Sequence, residues 1–255
     1  MRKGIDYHIH TFYQRCGNET LTVENIIRKA ESLYMSSIAI TDHLNSLDML
    51  PNFRLIRRDI EAIDTSIEVF FGVELNFMCC DGDFPYSEAI RDEYGFEVAI
   101  GGIHSTYTGS LDEAEVADIQ HRHHMRVLAD PLCDVLVHPW WIPDREWKQR
   151  PAEWWEDLLE SFPDERIAEL AGASAANRCA IEVNAAAVFY NTAYSRRFRD
   201  IYVQYLARLR DAGALFTTGS DAHDIGQLGA TEYVEGLLDG LAVPDAQRWQ
   251  PVKRR

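Results

Sequence analysis

Residues 37–43 read Ser-Ile-Ala-Ile-Thr-Asp-His. The first five carry no charge and do not alternate cleanly, as expected of a strand covered on both faces in a parallel sheet or barrel. The run then ends in an acid and an imidazole. Residues 214–218, Ala-Leu-Phe-Thr-Thr, read the same way and lead into Gly-Ser-Asp-Ala-His. Working outward, strands are expected over 5–10, 37–41, 67–74, 98–104, 133–138, 179–184 and 215–219. Amphipathic segments lie between them. Thr22 is placed to cap a helix whose apolar positions return at Ile26, Ile27, Ala30 and Leu33. Further helices are expected over 112–130, 153–173, 196–212 (with Gly213 as its stop) and near 230–238. Alternating strands and helices predict right-handed crossovers and parallel pairing. No repeat, low-complexity tract or linker divides the chain, so a single α/β domain over 1–255 is expected.

The charge of −16, from 41 acidic and 25 basic residues, makes nucleic acid and anionic membrane surfaces poor partners. No run approaches the ~18 apolar residues of a membrane span, and Met1-Arg2-Lys3-Gly4-Ile5-Asp6 enters a strand without an apolar signal region. The five cysteines (Cys16, Cys79, Cys80, Cys133, Cys179) form no C-x-x-C pair, which reads as a reduced, cytoplasmic protein. Five of the six tryptophans fall in the stretch 139–178. They are read either as packing on the barrel wall or, for Trp140 and Trp141 directly after His138, as lining a substrate pocket.

His8 and His10 are two apart on a strand, so both rings project from one face. Chance supplies about 0.3 such pairs in a chain with nine histidines, so this pair is weak by itself. His121 and His123, followed by His124, fall in a helical pattern where i and i+2 do not face each other, and they read as a solvated helix face. The other four differ: His43, His104, His138 and His223 each stand where an expected strand ends, as do the acids Glu74 and Asp221. Six histidines and two carboxylates on the C-terminal rim of parallel strands point to a metal site, because catalytic groups converge on that rim. The donor mixture suits zinc, manganese or iron, and eight donors imply two or three divalent ions. Asp42 is expected to orient a ligand or to pass a proton. Arg15, Arg196 and Arg197 are candidates for phosphate contact. Asn184 is on the rim and a candidate substrate contact, and Glu182, two positions earlier, is placed to support the site from below.

These residues resemble the PHP (polymerase and histidinol phosphatase) family. The resemblance rests on H-x-H-T at 8–11, T-D-H at 41–43, G-V-E at 72–74, G-G-I-H ending at His104, H-P at 138–139 and S-D-A-H at 220–223. It implies a distorted, TIM-like barrel of seven parallel strands with a di- or trinuclear metal site at its C-terminal rim. It also implies hydrolysis of a small phosphorylated molecule by a metal-bound hydroxide. By that resemblance His8, His10, Glu74 and Asp221 would hold a first ion. Glu74 would bridge to a second, completed by His104 and His138, and His43 and His223 would hold a third. Family members place a further His or Asp in the loop after H-x-H-T; here Cys16 is nearest by spacing, either as a thiolate ligand favouring zinc or as a structural cysteine. Two other readings are an amidohydrolase-type metallohydrolase, whose bridging lysine is missing where Glu74 stands, and a non-catalytic or proofreading accessory domain.

Overall fold

A computed structural model describes residues 4–78, 80, 86–106, 108–110 and 112–253. Cys79 and Tyr107, the latter a further candidate for lining the pocket, lie outside the described residues, as do Met1, Arg2 and Lys3. The strands are β1 (Gly4–Ile9), β2 (Met35–Ile40), β3 (His43–Leu44), β4 (Glu68–Asn76), β5 (Val98–Gly102), β6 (Val135–Leu136), β7 (Ala180–Asn184) and β8 (Phe216–Gly219). The helices are α1 (Val23–Ser32), α2 (Leu50–Glu61), α3 (Glu88–Tyr94), α4 (Glu113–Leu128), α5 (Asp144–Trp147), α6 (Ala152–Glu160), α7 (Asp164–Asn177), α8 (Arg196–Asp211) and α9 (Thr231–Gly240).

All pairings are parallel, in the order β1-β2-β4-β5-β6-β7-β8. β3 pairs with the second half of β4, His43 opposite Glu74, so β2 and β3 form one strand interrupted at Thr41 and Asp42. The result is a nearly closed barrel of seven parallel strands. Its seam is drawn together by a bridge between Ile9 and Ala222, with Asp221 N donating to His8 O at 2.9 Å.

The inward faces of the strands change character along their length. Phe70, Val98, Val135 and Ala180 join Ile5, Tyr7 and Ala39 in an apolar cluster. Trp249 packs edge-on against Tyr7, ring centroids 6.0 Å apart. Further along the same faces stand Glu74, four residues after Phe70, and Glu182, two after Ala180. Two repeats of the strand pleat on β4, and one on β7, thus separate an apolar plug from a polar rim. The outward faces, with Ile38, Ile40, Val73, Leu136 and Ile181, form the larger core against the helices.

Thr22 caps α1, its side chain accepting from Asn25 N at 3.1 Å, and Gly213 follows α8 at φ 93°. Two expectations are corrected. The helix expected over 153–173 is two helices, α6 and α7. Pro163 precedes α7 and has no N–H to continue the α6 ladder. The histidines of α4 are not solvated either: His121, His123 and His124 are all buried. α4 packs on α7, where His121 Nε2 meets a Glu169 oxygen at 2.7 Å, and His124 lies against Trp140 with centroids 6.0 Å apart. Burial holds the His124 ring down at about 3. Among the described residues no helix is long and apolar enough to cross a membrane, and Cys16, Cys133 and Cys179 form no disulfide.

Candidate metal centre

β4 carries Glu74 to the middle of the rim, fully buried, and its two oxygens face different partners. Oε1 lies 3.1 Å from His104 Nε2 and 3.3 Å from His138 Nε2. Oε2 lies 2.7 Å from His43 Nδ1, 3.4 Å from His8 Nε2 and 3.6 Å from His10 Nε2. Asp221, after β8, approaches from the far side of the seam, its Oδ1 3.2 Å from His10 Nε2 and 3.6 Å from His8 Nε2. Three groups of donor atoms each fall within 4.8 Å of one another: His8, His10 and Glu74; His43, Glu74 and His104; and His10, Cys16, His43 and His223. All six rim histidines and both acids are therefore brought together. His43 differs from the expectation in facing Glu74 as well as the Cys16 group.

The tautomer of His8 tests whether cations fit. Its Nδ1 donates to Glu182 Oε1 at 2.9 Å, so the neutral ring presents a lone pair at Nε2. That lone pair faces His10 Nε2 at 3.1 Å as well as the two carboxylates. Glu74 Oε2 is buried without a hydrogen bond. Acceptors turned on one another in a dry pocket need positive charge between them, supplied by protons or by metal ions. Burial opposes charge on His8, but Glu182, Asp221 and Glu74 hold it well above the usual histidine range. His10 is raised likewise, against burial, by Asp221 and Asp42. Burial would raise Glu74 and Asp221; the histidines (His43 and His8 for Glu74, His8 and His10 for Asp221) instead hold both well below the usual carboxylate range. Burial lowers His104 and His223, keeping them neutral and able to ligate. The residues fit divalent ions.

A second layer fixes these donors. Glu182 accepts from His8 with one oxygen and from the backbone N–H of His138 with the other, at 2.8 Å. Gly219 of β8 lies against it: a Cβ there would stand 2.0 Å from Glu182 Oε1 and 2.5 Å from His8 Cβ. His138 and Asp221 both hold left-handed backbone, at φ 32° and 57°, which for residues other than glycine is strain of the kind kept at functional sites.

Several expected roles are revised. Asp42 is fully buried and accepts from Thr11 N at 2.6 Å and from the Thr11 hydroxyl, with its Oδ1 3.7 Å from His10 Nδ1. It braces His10 and the loop after β1, not its neighbour His43. Asn184 is buried and its amide has partners within the protein: it donates to Glu182 at 2.9 Å and Asp221 at 3.4 Å, and accepts from Ala187 N at 2.7 Å, capping the π-helical turn Ala185–Phe189. Arg197 binds Glu156, Asp157 and Glu160 on α6, which draws it away from the rim. Arg196 is exposed, 3.7 Å from Asp200. Arg15 is exposed one residue before Cys16. Cys16 Sγ lies 3.6 Å from His10 Nδ1 and 3.9 Å from Asp42 Oδ1. The tryptophan pair divides: Trp140 is core, packed on Phe162 and Tyr205, while Trp141 is half-buried beside His104 and His138. Sequence reasoning missed Glu146, which accepts from the Ser105 hydroxyl and from Thr106 N, tying down the loop that carries His104. A lone glutamate in a four-residue helix gives no sequence signal for that role.

A sequence model of the PHP domain matches residues 6–186, which include His8, His10, His43, Glu74, His104 and His138. The chain belongs to the PHP domain family. Two similar proteins are one of Tolumonas auensis named "Probable phosphatase" and "Probable phosphatase YcdX" of Escherichia coli. The first is 24% identical over 96% of this chain and 88% of its own length, the second 23% over 94% and 86%. A solved structure of hisK from Listeria monocytogenes, described as a candidate histidinol phosphatase, matches 91% of this chain and 99% of its own at TM-score 0.64 and 13% identity, sharing the PHP barrel.

Proposed function

We propose that this PHP domain is a metal-dependent phosphoesterase that releases phosphate from a small phosphorylated molecule. The observation that carries the reading is the divided carboxylate of Glu74, one oxygen toward His104 and His138 and the other toward His8, His10 and His43. His8, His10, Glu74 and Asp221 would hold one ion, and Glu74, His104 and His138 a second. His43, His223 and Cys16 would hold a third, with zinc, manganese or iron as the fitting metals. Bound there, divalent ions would supply Lewis-acid activation of water and neutralise charge on the phosphoryl group. The chain's own residues do the remaining work. Glu182 sets the His8 tautomer, Asp42 braces His10, and the burial of His8, His10 and Glu74 keeps bulk water from them so that charge interactions strengthen. Arg15, exposed beside Cys16, would meet the substrate phosphate. The names of the similar bacterial relatives support a phosphatase over an amidohydrolase.

The test is elemental analysis of the purified protein, followed by p-nitrophenyl phosphate hydrolysis with and without chelator. Bound metal with chelator-sensitive activity is expected; full activity in metal-free protein would overturn the mechanism. Cys16→Ser is expected to lower the metal content by about one ion per chain, and an unchanged count would return Cys16 to a structural role.

A further inference from the structure

Trp141 occupies an unusual backbone setting. Its neighbours are both core residues: Trp140 is 2% exposed and Ile142 is 1% exposed. Trp140, at φ 64°, is wedged against Phe162, Tyr205 and His124. Ile142 is held by Tyr194, whose hydroxyl accepts from Ile142 N at 2.7 Å and donates to Ile142 O at 3.1 Å. Trp141 N donates to His138 O at 3.0 Å. Anchored on both sides, the segment leaves one large side chain half-buried. That indole stands with its centroid 5.4 Å from the His138 ring and 5.9 Å from the His104 ring, on the Oε1 side of Glu74. His138 and Trp140 on the same segment both hold left-handed backbone, at φ 32° and 64°.

The rest of the rim has matching chemistry. Among the described residues, the segments 11–22, 41–49, 77–78, 86–87, 103–106, 108–110, 185–195 and 220–230 contain one lysine or arginine, Arg15, while the loop of Trp141 adds the exposed Arg145, Lys148, which pairs with Asp144 at 2.8 Å, and Arg150, which lies over the Trp154 ring at 5.5 Å. From those segments Phe12, Leu47, Met78 and Tyr190 stand exposed. The exposed apolar side chains have much to offer a flat apolar group and little to offer a polyhydroxylated one.

Resting on the phosphoesterase reading, the geometry points to Trp141 as the specificity wall for the leaving group, selecting phosphomonoesters whose organic part is planar, apolar and uncharged. The indole face stacks that group while the phosphate is held at the histidine–carboxylate cluster. The test compares benzyl phosphate with glycerol 3-phosphate as substrates. The nonhydrolysable benzylphosphonate and methylphosphonate are compared as ligands by calorimetry, for the wild type, Trp141→Phe and Trp141→Ala. Benzylphosphonate is expected to bind about tenfold more tightly than methylphosphonate to the wild type. Trp141→Phe should keep most of that preference and Trp141→Ala should lose it, with methylphosphonate affinity and the glycerol 3-phosphate KM changed less than twofold. Equal binding of the two phosphonates by the wild type, or equal losses for both in Trp141→Ala, overturns the assignment even if both esters are hydrolysed. Preferential benzylphosphonate binding that depends on Trp141, with neither ester hydrolysed, upholds the wall and removes the phosphoesterase reading instead.

Discussion

The Nδ1 of His8 meets a Glu182 oxygen at 2.9 Å, with both side chains buried. The second Glu182 oxygen is taken by the backbone of His138, so one carboxylate on β7 sets a ring on β1 and the turn after β6.

Replacing that carboxylate tests its weight. In Glu182→Gln the amide can still accept from His8, but its NH2 then faces the His138 N–H, donor against donor, and the charge is gone. Metal affinity should fall 10–100-fold, measured by titration against a competing chelator. Wild-type affinity in the variant would show that Glu182 merely fills space.

Arg197 and Arg15 separate two kinds of arginine. Arg197 is committed to three carboxylates of α6, so Arg197→Ala should leave kcat/KM within about twofold and lower the melting temperature slightly. Arg15→Ala should raise KM for a phosphomonoester several-fold with little change in melting. A tenfold drop in kcat/KM for Arg197→Ala would place that side chain back at the substrate.

The α4 histidines set a pH dependence away from the rim. His124 titrates near 3 in the fold against an ordinary 6.5. For a base depressed in this way, the stability is complete above the unfolded value and is lost as pH falls toward the folded one. Between pH 6.5 and pH 5 metal-free wild type should lose about 1.6 kcal/mol more than His124→Gln in urea unfolding. Parallel losses in the two proteins would mean that His124 is more solvated than its packing against Trp140 implies.

The rim was legible because strand ends are the places where sequence position dictates spatial position. His43, His104, His138 and Asp221 follow uncharged runs, and parallel pairing carries all such ends to one side of a barrel. Glu182 could be placed beneath the site by the two-residue strand period alone. What the sequence did not show falls where tertiary partners decide direction. Arg197 begins α8 close in sequence to the rim, and the acids of α6, some forty residues earlier, turn it away. Asn184 is on the productive strand end, but its amide is consumed by Glu182, Asp221 and the turn that follows. Asp42 adjoins His43 in sequence yet reaches His10, because the break between β2 and β3 turns it toward Thr11. The α4 histidines gave a mixed pattern that solvent exposure explained as well as burial did; only the packing of α7 and Trp140 decides between them.

Gly219 has no side chain, and the space it leaves is what allows Glu182 its full length. The two positions should therefore vary together. A chain of this family that carries alanine at the position of Gly219 is expected to carry the shorter aspartate at that of Glu182, and a glutamate there should keep its glycine. An alignment deep enough to read paired changes would then identify the Glu182–Gly219 couple, even though one member takes no part in the chemistry.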